Sequence, residues 1–293
     1  MKLSTSVSPA WRNLDMSEEN RLARLCACGF RYLCDEPEAL PASEICAFAD
    51  ARRQMMKDAG MVPVKVRAGR LLTANDPMIE YCARLGARLL VVPLLSNESW
   101  SRAEAVAANA AYLRSLVPAA RDNGVTLLIE HAGSFQKAYC THSAMELNAL
   151  LERVDEPDCT AVNLNIGNIG LTDMDIYPEI RLLGRRIRAV DASDNFFGMA
   201  LAAEKDREDL GLAPLMGFLD YDEVMRGLKE IGFDGVFNLR LNYPRVFPKH
   251  SPFVKEARLN RFPVELLEPF ARWSRRVCEF MFAAYEMEWR ADE

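Results

Sequence analysis

The chain has 293 residues, 50% hydrophobic and 27% charged, a composition that suits one large α/β domain or two ordinary ones. Its formal charge of −6 gives no overall electrostatic reason to bind nucleic acid or an anionic membrane. No apolar run approaches the ~20 residues that span a bilayer, and the opening MKLSTSVSPAW has no apolar region of the kind that directs export. The expectation is a cytoplasmic protein with neither nucleic-acid nor membrane partners.

Short β-rich runs alternate with amphipathic helical stretches along the whole chain, which implies parallel strands joined by helices. In order, the strands are expected at Lys2 to Val7, Phe30 to Cys34, Val62 to Arg67, Arg88 to Pro93, Val125 to Glu130, Thr160 to Asn165, Ile187 to Asp191 and Gly235 to Leu241. Between the fourth and fifth, Arg102 to Asp122 carries Ala, Leu and Val on one face, and Asn123 and Gly124 stop it before the next strand. The same grammar recurs where Ile231, Gly232, Phe233 and Asp234 lead into the eighth strand. A last amphipathic stretch, Pro263 to Met287, supplies the eighth helix.

Eight βα units in 293 residues fit one closed (β/α)8 TIM barrel spanning residues 1–293, with the helix over 263–287 at its C-terminus. A doubly wound dinucleotide fold is disfavoured because no G-x-G-x-x-G follows the first strand. The eight cysteines lie mostly inside apolar stretches, and Cys26 and Cys28 diverge on a helix, so buried, reduced thiols are expected rather than disulfides or a zinc site. With only His131, His142 and His250, no site built from many imidazoles is possible.

In a barrel the strand ends converge on one pocket, and period-two alternation selects the inward residues. The fifth strand ends in Glu130 and His131. The sixth offers Asn163 and Asn165, with Asn168 just beyond. The seventh supplies Asp191 and Asp194, and the eighth Asn238 and Arg240. Charges ending apolar strands need pairing, a ligand or a cleft. Two readings follow: a pocket, or a buried ion pair between Arg240 and Glu130 or Asp191 that serves only the barrel. Asn163 and Asn238 lie one layer deeper, where satisfied core hydrogen bonding is expected.

Two long connections, Asp194 to Asp220 and Asn242 to Phe262, fall at the C-terminal face, where catalytic loops gather. The second carries Arg245, Lys249, Lys255, Arg258 and Arg261 in an otherwise acidic chain. It suits reception of a phosphate or carboxylate, a solvated surface, or a lid against a neighbouring subunit in a homo-oligomer.

The segments VTLLIEH, TAVNLNIGN, RAVDASDN and YDEVMRGLKEIGFDGVFNLRL, with the earlier DPMIEYCARLGARLLVVP, resemble the xylose-isomerase-like TIM-barrel superfamily of sugar isomerases and epimerases. The resemblance covers nearly the whole chain, most firmly from Asp76 to Leu241, and rests on segment order and spacing rather than on any one motif. It implies a divalent cation such as Mn, Mg or Zn held by four strand-end residues, whose counterparts here are Glu130, Asn165, Asp191 and Arg240. Only Glu130 keeps its type, and Asn168 stands where the family has a substrate-contacting His. The expectation for this chain is therefore no metal cofactor, with Arg240 in place of the cation and the Glu130, Asp191 and Arg240 set left at −1.

The resemblance implies an isomerase- or epimerase-like protein acting on a small carbohydrate, sugar acid or sugar phosphate by proton abstraction beside a carbonyl. Glu130, Asp191 and Arg240 form the expected catalytic set. His131, Asn165, Asn168, Asp194, Arg245 and Lys249 form the expected substrate-binding set. The alternative is a catalytically degenerate barrel that binds a carbohydrate-like ligand or serves as a subunit of a larger enzyme.

Overall fold

The computed structural model describes residues 1–7, 11, 15–37, 42–131, 140–172, 175–195, 212–241 and 264–290. Eight parallel strands close into a barrel in chain order: β1 (Lys2–Ser6), β2 (Tyr32–Asp35), β3 (Val62–Arg67), β4 (Leu89–Val91), β5 (Thr126–Glu130), β6 (Thr160–Asn165), β7 (Ile187–Ala192) and β8 (Val236–Leu239). All eight expected strands form, two of them with the expected bounds. β2 starts two residues later than its apolar run because Phe30 donates its amide back to Leu25 O at 3.3 Å, which closes the preceding helix.

The described helices are α1 (Glu18–Ala27), α2 (Ala42–Asp58), α3 (Pro77–Leu85), α4 (Arg102–Asp122), α5 (Ala144–Val154), α6 (Ile166–Ile169), α7 (Ile176–Leu183), α8 (Tyr221–Glu230) and α9 (Leu267–Ala284). Local chemistry sets their ends. Ser101 and Glu104 form a reciprocal capping box at α4. At α3, Asp76 accepts from the Met78 amide, Pro77 opens the helix, and Gly86 at φ 96° ends it in a conformation that penalises a Cβ. The last helix starts later than its amphipathic pattern, after a 3-10 turn at Val264–Leu266. Pro269 then sits in its first turn, where a missing N–H costs nothing.

Two apolar layers hold the barrel. The larger lies between strands and helices and includes Leu33, Val66, Leu127, Ile129, Leu164, Val190 and Phe237 with Leu22, Leu113, Leu147, Ile180 and Phe282. The smaller fills the barrel interior: Tyr32, Cys34, Val64, Val91, Leu128, Ala161, Ala189 and Val236. The polar residues of the same interior faces stack above it, toward the strand C-termini.

All eight cysteines are free thiols. Burial pushes Cys34 up to about 12 and Cys28 up to about 11, so both stay protonated at neutral pH. Among the described residues no helix is long and apolar enough to cross a membrane.

Candidate active site at the barrel mouth

The strands carry five charged side chains into one cluster at their C-terminal ends: Lys65 and Arg67 from β3, Glu130 from β5, Asp191 from β7, and Arg240 just past β8. Asp191 is the hub. Its Oδ1 accepts from Lys65 Nζ at 2.5 Å and Asn238 Nδ2 at 2.6 Å, and its Oδ2 from Arg67 at 2.6 Å and Asn163 Nδ2 at 2.8 Å. Glu130 Oε2 accepts from Arg67 and from Asn163 Nδ2, the latter at 2.7 Å. Its Oε1 faces Asn165 Nδ2 at 3.4 Å and Arg240 at 3.9 Å.

Depth divides the cluster. Lys65 and Asp191 have side chains 1% exposed, whereas Glu130 and Arg67 are at 19% and Arg240 at 26%. A buried floor of Lys65, Asp191, Asn163 and Asn238 thus supports an accessible rim of Glu130, Arg67 and Arg240.

Burial alone would push both carboxyls up, but nearby positive charge outweighs it. Arg67 and Arg240 hold Glu130 below its ordinary value, and Lys65 and Arg67 hold Asp191 well below its own. Both are anionic at neutral pH. The carboxylates in turn raise Arg67 above the ordinary guanidinium range despite its burial.

Lys65 and Arg67 are the residues that sequence reasoning missed. The signal was present in V-P-V-K-V-R, a K-x-R alternation ending a strand, but long basic side chains at strand ends usually reach out to solvent. A register shift between Leu33 and Cys34 brings Lys65 opposite Cys34 and passes over Val64, which adds its side chain to the interior apolar layer. That irregularity sets the inward face of β3 and is not written in the residue pattern.

The charge balance changes accordingly. Instead of −1, the three cations against Glu130 and Asp191 leave +1, and Glu36, 3.6 Å from Arg67, brings the group to neutrality. Arg240 pairs with Glu130, one of the two carboxylates expected for it, without a hydrogen bond between them. The two stand 3.9 Å apart, while Arg67 and Asn163 hold the other oxygen of Glu130.

The other expected residues sort by contact. Asn163 and Asn238 are buried and hydrogen-bonded, as their depth required; Asn238 also donates to Ser6 Oγ at 3.3 Å. Asn165 is buried and caps α6, its Oδ1 accepting from the Asn168 amide at 3.2 Å. Asn168 is half-buried and donates to the His131 carbonyl at 2.7 Å. His131 is fully buried.

Asp194 is not brought to the charged cluster. Its carboxylate accepts from the amides of Asn195, Gly217 and Leu219 at 2.8, 2.8 and 3.1 Å, which anchors the return of the long β7 connection. Burial leaves its carboxyl above the ordinary value despite those amides. Arg245 and Lys249, with the rest of the basic connection after β8, lie outside the described residues, as does most of the connection after β7.

A closed (β/α)8 barrel with a charged cluster at its C-terminal mouth is the architecture of enzymes whose chemistry is carried on strand ends. Residues 20–261 match the family model of the xylose isomerase-like TIM barrel. The chain belongs to that family. Among curated proteins none matches this sequence.

Solved structures share the fold. A D-psicose 3-epimerase with D-tagatose from Clostridium cellulolyticum H10 superposes at TM-score 0.72 with 15% identity, over 96% of this chain and 99% of that one. A xylose isomerase domain protein from Alicyclobacillus acidocaldarius gives 0.71 and 18%, over 98% and 99%. An IOLI protein with a bound zinc atom gives 0.70 and 17%, over 97% and 99%.

Proposed function

We propose that the barrel mouth binds a small polyhydroxylated or anionic carbohydrate-like molecule and removes a proton beside its carbonyl. Glu130 is the base, and Arg67 and Arg240 hold the oxygen on which negative charge develops. The observation that carries this reading is the division of depth: of the two carboxylates that hydrogen-bond Arg67, Glu130 meets the accessible rim beside two guanidinium groups, while Asp191 is 1% exposed. A guanidinium pair is suited to carboxylate, phosphate or enediolate oxygens because it offers forked, permanently charged donors.

Among the described residues two carboxylates reach the rim: Glu130, and Glu36, which is 28% exposed and 3.6 Å from Arg67. A proton taken and returned on the same face of an enediolate shifts a carbonyl between neighbouring carbons, whereas inversion at a carbon needs a second group on the opposite face. Glu130 alone serves isomerisation, and epimerisation would call on Glu36 as the second group. Kinship with a family that includes a D-psicose 3-epimerase fold relative supports a sugar as the ligand. Asn168, half-buried beside the cluster, is a candidate for a substrate hydroxyl.

A second reading, a barrel that binds such a ligand without turnover, is favoured by the resting ion pair between Glu130 and Arg67, which lowers the basicity of the carboxylate. Incubation with ketoses, aldoses, sugar acids and sugar phosphates in D2O separates the two. The first reading expects NMR-detected deuterium at the carbon beside the carbonyl of at least one compound. Ligand-induced thermal stabilisation with no deuterium incorporation in any compound would select the second.

A further inference from the structure

We infer that Lys65 and Arg67 are a built-in cationic centre that does the electrostatic work of a divalent ion at the barrel mouth. A metal site needs carboxylate oxygens with lone pairs turned toward a shared empty point. Here both oxygens of Asp191 and the inner oxygen of Glu130 are already engaged by donors of the chain, four on Asp191 and two on Glu130 Oε2. The neighbouring Asn165 directs its amide nitrogen toward Glu130 and uses its oxygen on the Asn168 amide. Among the described residues no three His, Cys, Asp or Glu side chains gather as a metal requires. The donor set does not fit a divalent cation.

The charges explain the arrangement. The ammonium and guanidinium groups together carry the +2 that a divalent ion would bring; Arg67 touches both carboxylates and Lys65 touches Asp191. A metal entering would have to expel Arg67 or sit beside Lys65, whose side chain is 1% exposed. Repulsion between cations at such range in a poorly screened interior opposes occupancy. The covalent tether gives the protein a permanent charge that needs no loading. It also supplies N–H donors, which orient ligand oxygens by hydrogen bonds rather than by coordination.

This inference rests on reading the mouth as the ligand site, but it is tested with Mn2+ alone and no sugar, so the two fail separately. Wild-type protein purified without chelator is expected to hold no stoichiometric divalent metal by elemental analysis and to show no Mn2+ saturation by calorimetry. In the Lys65→Met/Arg67→Met variant, the carboxylates lose both resident cations. Mn2+ affinity is expected to rise on the order of tenfold or more, with a Tm that climbs with Mn2+ concentration in that variant alone. A double variant that folds only with Mn2+ present gives the same answer. If it folds with neither, Arg67→Met, which keeps the Lys65 and Asp191 pair, provides the reading with a smaller gain. One metal per chain retained by the wild type through dialysis would overturn the inference. So would a folded variant whose Mn2+ affinity and Tm response equal those of the wild type.

Discussion

Asp191→Asn is expected to cost the folded protein about 3–5 kcal/mol, the usual consequence of removing one partner of a buried ion pair. The replacement has nearly the same shape, so packing is preserved and the loss is electrostatic. Lys65, with its side chain 1% exposed, loses the counter-charge 2.5 Å away. Arg67 retains Glu130 and Glu36 and suffers less. Denaturant unfolding measures the cost. Combining Asp191→Asn with Lys65→Met should recover a substantial part of it, because the stranded charge is then gone.

The same pair fixes the acid limb of stability. Asp191 has a lower pKa folded than unfolded, so its contribution is fully present above the ordinary carboxylate value of about 4. It is lost progressively as pH falls below that value toward the depressed folded one. Wild-type stability should therefore fall steeply below about pH 4, and Asp191→Asn should show a flatter profile there. Equal slopes in the two proteins would show that Asp191 does not contribute to the acid limb.

The largest effect on chemistry is expected from Glu130→Gln. If Glu130 removes the substrate proton, deuterium incorporation should fall by about 10²- to 10⁴-fold, the range typical of losing a general base. Folding should survive, since the amide oxygen still accepts from Arg67 and Arg67 keeps Asp191. Removing one negative charge also makes the mouth more positive, so an anionic ligand should bind more tightly even as exchange stops. Thermal titration of the variant reads that second effect. Loss of exchange together with weaker anion binding would point instead to a collapsed site.

The barrel was legible in the sequence because its signals are redundant. Val62–Arg67 and Thr160–Asn165 form as strands with the bounds that β-propensity and turn residues gave them, and Ser101 and Glu104 marked the start of α4. Strand ends were softer wherever a helix terminus competed, as when Phe30 closed the preceding turn instead of joining β2. Half of the site was equally visible. Glu130, Asn163, Asp191 and Asn238 meet because period-two alternation and strand order place them there.

The other half was hidden by the ambiguity of basic residues. Lys and Arg near a strand end commonly lie on the surface, and nothing in V-P-V-K-V-R alone says that a carboxylate on β7 waits for them. Lys65 and Asp191 are 126 positions apart, and only barrel closure with the shifted β2 and β3 register makes them neighbours. Arg240 was the visible cation because Asn238 beside it fixed its face. The cationic role expected of Arg240 is the one inferred above for Lys65 and Arg67. Asp194 carried the opposite ambiguity: an acid placed by the sequence to bind substrate, and an anchor for backbone amides in the fold.

The central claim is that the rim formed by Glu130, Arg67 and Arg240 recognises an oxygen-rich, preferably anionic, small molecule. Its most direct test is a thermal-shift titration of the wild type and Arg240→Gln with neutral sugars, sugar acids, sugar phosphates, apolar compounds and nucleotides. Arg240 makes no direct hydrogen bond to Glu130, standing 3.9 Å away, so its loss should leave the floor of the cluster intact. A ligand at 100 times its Kd stabilises the folded state by about 2.7 kcal/mol. Such stabilisation of the wild type is expected from at least one sugar acid or sugar phosphate, with a clearly smaller shift in Arg240→Gln. Stabilisation by apolar compounds or nucleotides with silence from every carbohydrate, or a sugar-induced shift undiminished in Arg240→Gln, would contradict it.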